Sequence, residues 1–170
     1  MSFLIRILAT GFGTGYTPYI SGTAGTLVGI PIFYFLSRLN GGLYLLITVG
    51  LTLFAIWISN LALPLYTDPQ KKTDPKQIVI DEVVGFLWTA GILRYAAFWD
   101  PKEGLLSLLI ISFGLFRLFD VTKPGPVGWA ERKFSKGLGI VMDDVVAGIL
   151  AGVAGILFCI LYPLLLSLFV

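Results

Sequence analysis

Long apolar stretches alternate with short polar ones along most of the chain. The apolar stretches approach the ~20 residues that a helix needs to cross a ~30 Å hydrocarbon core, and they predict membrane spans at 24–39, 43–66, 82–99, 105–119 and 145–170. Residues 1–10 carry one charge within an apolar segment and predict a short amphipathic helix before the first span. The pattern therefore predicts an all-α, polytopic membrane helix bundle with about five transmembrane helices, in a single domain over 1–170.

The composition agrees with a membrane protein. Hydrophobic residues make up 56% of the chain and charged residues 13%, with a mean hydropathy of +0.89, whereas soluble domains carry roughly 25% charged residues. The net charge is only +2 and the basic residues form no continuous stripe, so we expect no nucleic-acid partner. Membrane lipids are the expected surroundings, and the oligomeric state stays open.

The basic residues predict the orientation of the bundle. Arg38, Arg94 and Lys102 fall on one side of the five-span topology, and the remaining nine of the twelve fall on the other. Cytoplasmic segments carry an excess of lysine and arginine, so the side with nine basic residues, including the N-terminus, is predicted to face the cytoplasm. Those nine are Arg6, Lys71, Lys72, Lys76, Arg117, Lys123, Arg132, Lys133 and Lys136.

Four polar segments converge on this predicted cytoplasmic face. They are the glycine-rich segment 11–25, the pair Asp81 and Glu82, the segment 117–124, and the pair Asp143 and Asp144. A charge near hydrocarbon is costly and usually marks a functional site. Each acidic pair is predicted to begin a helix, where the dipole favours anions, so simple capping is the alternative. The convergence of three segments that carry acids favours a site.

The chain has no histidine, so its clustered carboxylates form an all-oxygen ligand set. Such a set suits Mg²⁺ or Mn²⁺ better than zinc or copper. We expect Asp81, Glu82, Asp143 and Asp144 to hold Mg²⁺, with Asp120 as a further ligand or a base. The absence of histidine also excludes a histidine nucleophile and a Ser-His-Asp triad.

Two basic residues and one helix start are candidates for binding phosphate. Arg117 and Lys123 flank Asp120 near the end of one span, and a structural ion pair between Arg117 and Asp120 is the alternative. Backbone N–H groups at a helix N-terminus bind anions, so Ser21, Gly22 and Thr23 form a candidate phosphate cradle. Packing of small residues through Gly25 and Gly29 is the alternative there.

At these residues the chain resembles the phosphatidylglycerophosphatase A family. The matching blocks are 13–25, 80–85, 117–124 and 139–148, in the order that the family shows. A departure lies at 19–22, where the family more often has Pro-Gly, which leaves the backbone path before Gly22 open. The resemblance implies Mg²⁺ dependence and a site on the cytoplasmic face of a bacterial cytoplasmic (inner) membrane.

The expected reaction is removal of the terminal phosphate from phosphatidylglycerophosphate, giving phosphatidylglycerol in phospholipid biosynthesis. Asp81, Asp120, Asp144 and Lys123 are the candidate catalytic residues. The choice between water and an aspartate as nucleophile stays open, with water favoured. Two rival hypotheses are a membrane cation or proton pathway, whose acids should lie at several depths, and a non-catalytic subunit whose polar cluster only fixes helix packing.

Overall fold

The computed structural model describes residues 2–66, 75–96 and 101–166. Side chains are described for all of these residues except 101–103 and 162–166. In these residues the regular structure is entirely helical, which confirms the all-α prediction. A single 3₁₀ turn, Thr14–Tyr16, precedes the second helix. The α-helices are α1 Ser2–Ala9, α2 Ser21–Leu36, α3 Gly41–Tyr66, α4 Ile80–Ala96, α5 Pro101–Thr122, α6 Pro126–Lys133 and α7 Lys136–Leu166.

The five predicted spans correspond to helices α2, α3, α4, α5 and α7, and the amphipathic N-terminal helix is α1. Three helical segments of the described chain are long and apolar enough to cross a membrane: Gly41–Tyr66, Gly104–Thr122 and Lys136–Leu161. Helix α2 is apolar but shorter, and α4 has only 17 residues. Residues 97–99 and 167–170 of the predicted spans lie outside the described residues.

Helix α4 occupies the centre of the bundle. It packs against α2, α3, α5 and α7, and most of its residues are buried. A helix enclosed by other helices need not present an apolar surface to lipid, because its neighbours cover it. This position explains how α4 accommodates two acids in its first turn, Asp81 and Glu82, and an arginine in its last, Arg94.

The last helix begins at Lys136 and not at 145 as the sequence predicted. The segment 121–142, which the predicted spans leave as a connection between 105–119 and 145–170, is basic and rich in glycine. It contains the end of α5, all of α6 and the first turns of α7. Its glycines permit close packing: a Cβ on Gly137 would lie 2.5 Å from the backbone N of Asn60 and 2.6 Å from the carbonyl O of Ile56. Small residues at such contacts allow two helices to approach closely.

Two further expectations about local structure need correction. Asp143 and Asp144 lie about two turns into α7, so the helix N-terminus does not account for their charge, since its effect is confined to the first turn. The first span begins at Ser21 and not at 24, which confirms the helix start expected for the phosphate cradle, and the glycine-rich segment 11–25 therefore ends within α2. By contrast, Asp81 and Glu82 do lie in the first turn of α4, as expected.

Candidate active site

A polar cavity of about 260 Å³ opens at the end of the bundle where α2 and α4 begin and α5 ends. The structure describes the side chains of six of the ten acidic residues, and all six line this cavity. They come from four different helices, so the fold gathers carboxylates that are far apart in sequence. The lining residues are Ser21, Pro75, Lys76, Ile78, Asp81, Glu82, Asp120, Lys123, Glu131, Asp143 and Asp144.

The acids of α4 and α7 form the buried floor of this cavity. Asp81 is 6% exposed and Asp144 4% exposed, and the Asp144 carboxyl group interacts electrostatically with those of Asp81, Asp120, Asp143 and Glu82. Like charges crowded in a poorly hydrated place repel one another. A group of this kind favours a bound cation, which offsets the repulsion.

Arg117 holds two carboxylates from different helices. Its Nη1 lies 2.6 Å from Asp120 Oδ2, one turn further along α5, and 3.7 Å from Glu82 Oε1 at the start of α4. The ion pair that the sequence offered as a structural alternative is therefore present. Arg117 does not itself line the cavity, so its direct effect in this structure is to orient Asp120 and Glu82.

Lys123 is the basic residue that reaches into the cavity. Its Nζ donates hydrogen bonds to Asp143 Oδ2 at 2.9 Å and to Glu131 Oε1 at 2.6 Å. Burial lowers the pKa of this ammonium group, but the hydrogen bonds and charges of Glu131 and Asp143 outweigh that effect and raise the pKa above its ordinary value. The ammonium group is therefore protonated at neutral pH and can contact an anion.

The sequence pattern did not identify Glu131 as a site residue, because the predicted spans leave 121–142 as a connection between two helices. Glu131 lies in α6, which packs against α7 and brings its carboxylate to Lys123. The sequence did carry a signal for this helix, because Pro126 occupies its first turn, and proline is favoured at the first position of a helix.

The candidate phosphate cradle at the start of α2 is only partly assembled. Ser21 lines the cavity, whereas Gly22 and Thr23 do not. Gly22 packs directly beneath the carboxylate of Glu82, and a Cβ on this residue would lie 3.0 Å from Arg117 Nη1. Gly22 thus brings α2 close to these side chains.

The donor set fits a hard divalent cation such as Mg²⁺. In the described part of the chain, Asp143 Oδ1 and Asp144 Oδ2 are buried and have no hydrogen-bond partner. No three acidic, cysteine or histidine side chains in that part are already arranged to hold a metal ion. Mg²⁺ does not require such a cage, because it keeps several waters and usually binds through one or two carboxylates and substrate phosphate.

The fold and the cavity together define a class of protein: a helical membrane bundle with carboxylates and a lysine gathered at one end. The family model of Phosphatidylglycerophosphatase A matches residues 7–159. The chain therefore belongs to the phosphatidylglycerophosphatase A family, as its sequence motifs implied.

Three curated relatives cover most of the chain. A protein named Phosphatidylglycerophosphatase A from Escherichia coli is 32% identical over 91% of this chain and 82% of its own length. A protein of the same name from Haemophilus influenzae is 33% identical over 95% and 91%, respectively. A Bacteroides thetaiotaomicron relative, named provisionally as a phosphatidylinositol-3-phosphatase, is 35% identical over 87% and 89%. No solved structure matches the chain.

Proposed function

We propose that the chain is a Mg²⁺-dependent phosphatase of the bacterial cytoplasmic membrane that hydrolyses phosphatidylglycerophosphate to phosphatidylglycerol and phosphate. The whole chain, 1–170, forms one catalytic domain in this proposal. The observation that carries it is the cavity in which all six described acidic side chains meet Lys123. Membership of the family supports the choice of reaction and of lipid substrate.

The basic residues of the described chain support a site on the cytoplasmic side. Lys76, Lys123, Arg132, Lys133 and Lys136 lie at the cavity end of the bundle or in the short elements that cover it, whereas Arg38 and Arg94 lie near the other end. Cytoplasmic segments carry the excess of lysine and arginine. The lipid headgroup would then meet the cavity while its acyl chains remain in the leaflet.

In this mechanism the positive residues bind the phosphate group. The Lys123 ammonium donates hydrogen bonds to phosphate oxygens, and Arg117 contributes charge from the rim while it keeps Asp120 in place. Ser21, with the backbone around Gly22 and Thr23, adds donors at the start of α2. Phosphoryl transfer depends chiefly on such positioning and charge stabilisation.

The carboxylates bind the cation and move the proton. Asp81, Glu82, Asp143 and Asp144 are the candidate ligands, of which one or two would bind Mg²⁺ directly. When bound, the ion would neutralise charge on the phosphate oxygens. An oxygen of water forms the new bond to phosphorus as the bond to the glycerol oxygen breaks. One carboxylate, with Asp120, Asp81 and Asp144 as candidates, accepts the proton from that water and returns it to the departing glycerol oxygen.

A cation or proton pathway is the alternative function. It predicts acidic residues at several depths of the bundle, whereas the six described acidic side chains all line one cavity at one end. A non-catalytic packing role for the cluster would not explain why buried oxygens of Asp143 and Asp144 have no hydrogen-bond partner. Both observations favour the phosphatase.

The test is phosphate release by the purified chain in detergent. Phosphatidylglycerophosphate is compared with phosphatidic acid and with phosphatidylinositol 3-phosphate, each with Mg²⁺ and with a chelator, and Asp81→Asn serves as the inactive control. We expect Mg²⁺-dependent release that is fastest from phosphatidylglycerophosphate. Fastest release from phosphatidylinositol 3-phosphate would instead identify that lipid as the substrate, in line with the name of the Bacteroides relative. No release from any lipid would refute the phosphatase assignment.

A further inference from the structure

Glu131 and Asp143 bind the Lys123 ammonium from opposite elements. The ammonium donates to Glu131 Oε1 at 2.6 Å and to Asp143 Oδ2 at 2.9 Å. Asp143 belongs to α7, within the buried acid cluster, whereas Glu131 belongs to α6, and its side chain is 50% exposed at the cavity wall. Lys123 is thus held between a residue of the proposed metal site and one outside it.

The two carboxylates, and not the backbone of a helix, orient the Lys123 side chain. Lys123 follows the last residue of α5, and its φ of +43° lies in the left-handed region that L-residues seldom adopt. Its N–H still donates to the carbonyl of Phe119 at 2.9 Å. Because the helix ends here, the side chain no longer follows the helical rows that position Arg117 and Asp120.

Glu131 is carried by an element that is itself well anchored. In α6, Val127, Gly128 and Ala130 are buried, and the helix packs against α7. A Cβ on Gly128 would lie 3.1 Å from the carbonyl oxygen of Lys123. Helix α6 therefore rests directly on the backbone of Lys123, and Glu131 has a fixed base from which to reach its ammonium group.

We propose that Glu131 is a positioning residue, which holds the Lys123 ammonium at the cavity where it meets the substrate phosphate. This inference rests on the proposed phosphatase function. Without Glu131, the ammonium would pair with Asp143 alone and swing towards α7. The same shift would place a competing positive charge on a carboxylate proposed to bind Mg²⁺.

A purely structural role for Glu131 makes a different prediction. A half-exposed ion pair adds little to the stability of a folded protein, so replacing Glu131 should barely move the melting temperature in either case. Catalysis discriminates between the two roles. Loss of a residue that orients a binding group typically lowers activity about 10–100-fold, whereas loss of a surface ion pair leaves each folded molecule as active as before.

The experiment measures kcat, KM and melting temperature for Glu131→Ala, Glu131→Gln and the control Lys133→Gln in the full chain. Lys133 lies in the same helix, is exposed and does not line the cavity. We expect Glu131→Ala to lose about 10–100-fold in kcat/KM at an unchanged melting temperature. Glu131→Gln should lose less, because its amide oxygen still accepts a hydrogen bond from Lys123, and Lys133→Gln should match the wild type.

A double-mutant cycle with Lys123→Met tests whether Glu131 acts through Lys123. We expect Glu131→Ala to cause no further loss of activity once Lys123 has been replaced. An equal loss in both backgrounds, or wild-type kinetics in both Glu131 variants, would overturn the positioning role while leaving the phosphatase intact. A wild-type chain that hydrolyses no lipid would instead overturn the proposed function, and this inference with it.

Discussion

Gly148 of α7 lies directly against the backbone of Gly85 in α4. The hydroxyl of Thr89 donates to the carbonyl oxygens of both glycines, at 3.0 Å to Gly148 and 3.2 Å to Gly85. Each glycine lies four residues, or about one turn, beyond an acid of the site, Asp81 in α4 and Asp144 in α7. The closest approach of these two helices therefore sets the separation of the buried carboxylates.

Replacing Gly148 with alanine should separate these helices and impair the site. The new Cβ would collide with the carbonyl oxygen of Gly85 and would lie 3.1 Å from Trp88 Cβ, both on the neighbouring helix and unable to rotate away. Overpacking of this kind costs about 1–3 kcal/mol. We expect a lower free energy of unfolding in detergent, measured by chemical denaturation, together with a lower kcat.

Gly50→Ala is the matched control for this prediction. Gly50 also lies within an apolar helix, and apart from its neighbours and the backbone of its own helix turn, no atom of the described chain lies within 4 Å of the position that its Cβ would occupy. Alanine is the better helix former, so this variant should be as stable as the wild type or slightly more so. Equal stability of the two alanine variants would contradict the close-contact explanation.

The three acid-bearing segments that the sequence predicted to converge do line one cavity, but two of the acids are held differently from the prediction. The last apolar stretch begins only at 145, after a glycine-rich segment, and this pattern predicts a helix start at Asp143 and Asp144. In the structure, Gly137 packs against α3 and Gly139 against the backbone of Phe134. A sequence shows that a glycine lacks a side chain, but it does not show whether a turn or a neighbouring helix needs that space.

Glu131 escaped prediction for a related reason. Apolar periodicity and the three-residue spacing of Arg117, Asp120 and Lys123 identify a helix and its polar end, and both features are visible in the sequence. The position of α6 beside Lys123 depends on the packing of this helix against α7, which no local pattern specifies. Residues held by secondary structure were thus predictable, and the partner brought in by helix packing was not.

Asp144→Asn should abolish phosphate release while leaving the protein folded. The substitution preserves the shape of the side chain but removes one of the buried negative charges that interact around Asp144. Fewer like charges in the buried cluster should leave the melting temperature unchanged or raise it. Loss of a group that stabilises the reacting phosphate costs about 100-fold or more in kcat, measured as phosphate released from the lipid.

The control for Asp144→Asn is Glu103→Gln, a carboxylate-to-amide change near the start of α5, at the opposite end of that helix from Asp120. We expect wild-type kinetics for Glu103→Gln. Full activity in the Asp144 variant would remove this residue from the site.

Arg117→Lys should impair catalysis although the charge is conserved. The Arg117 guanidinium reaches both Asp120, at 2.6 Å, and Glu82, at 3.7 Å, and a lysine ammonium lacks the planar fork that can serve two carboxylates. We expect a loss of about 10-fold or more in kcat/KM for the lysine variant, since orienting partners typically contribute 10–100-fold, and a larger loss for Arg117→Ala.

Steady-state kinetics of the wild type, Arg117→Lys and Arg117→Ala measures this loss, with Arg132→Lys as the control. Equal kcat/KM for wild type and Arg117→Lys would show that the charge alone is sufficient.

Removal of divalent cations should stop the reaction reversibly. The buried oxygens of Asp143 and Asp144 without hydrogen-bond partners are the groups that we expect to bind Mg²⁺, and Mn²⁺ should substitute because it accepts the same oxygen ligands. Activity lost in a chelator should return when either ion is restored.

Asp143→Asn should shift the Mg²⁺ concentration for half-maximal activity upwards by about 10-fold or more, because a neutral amide binds the ion more weakly than a carboxylate. The Mg²⁺-induced rise in melting temperature should shift in parallel, and activity that persists in a chelator would exclude the metal from the mechanism.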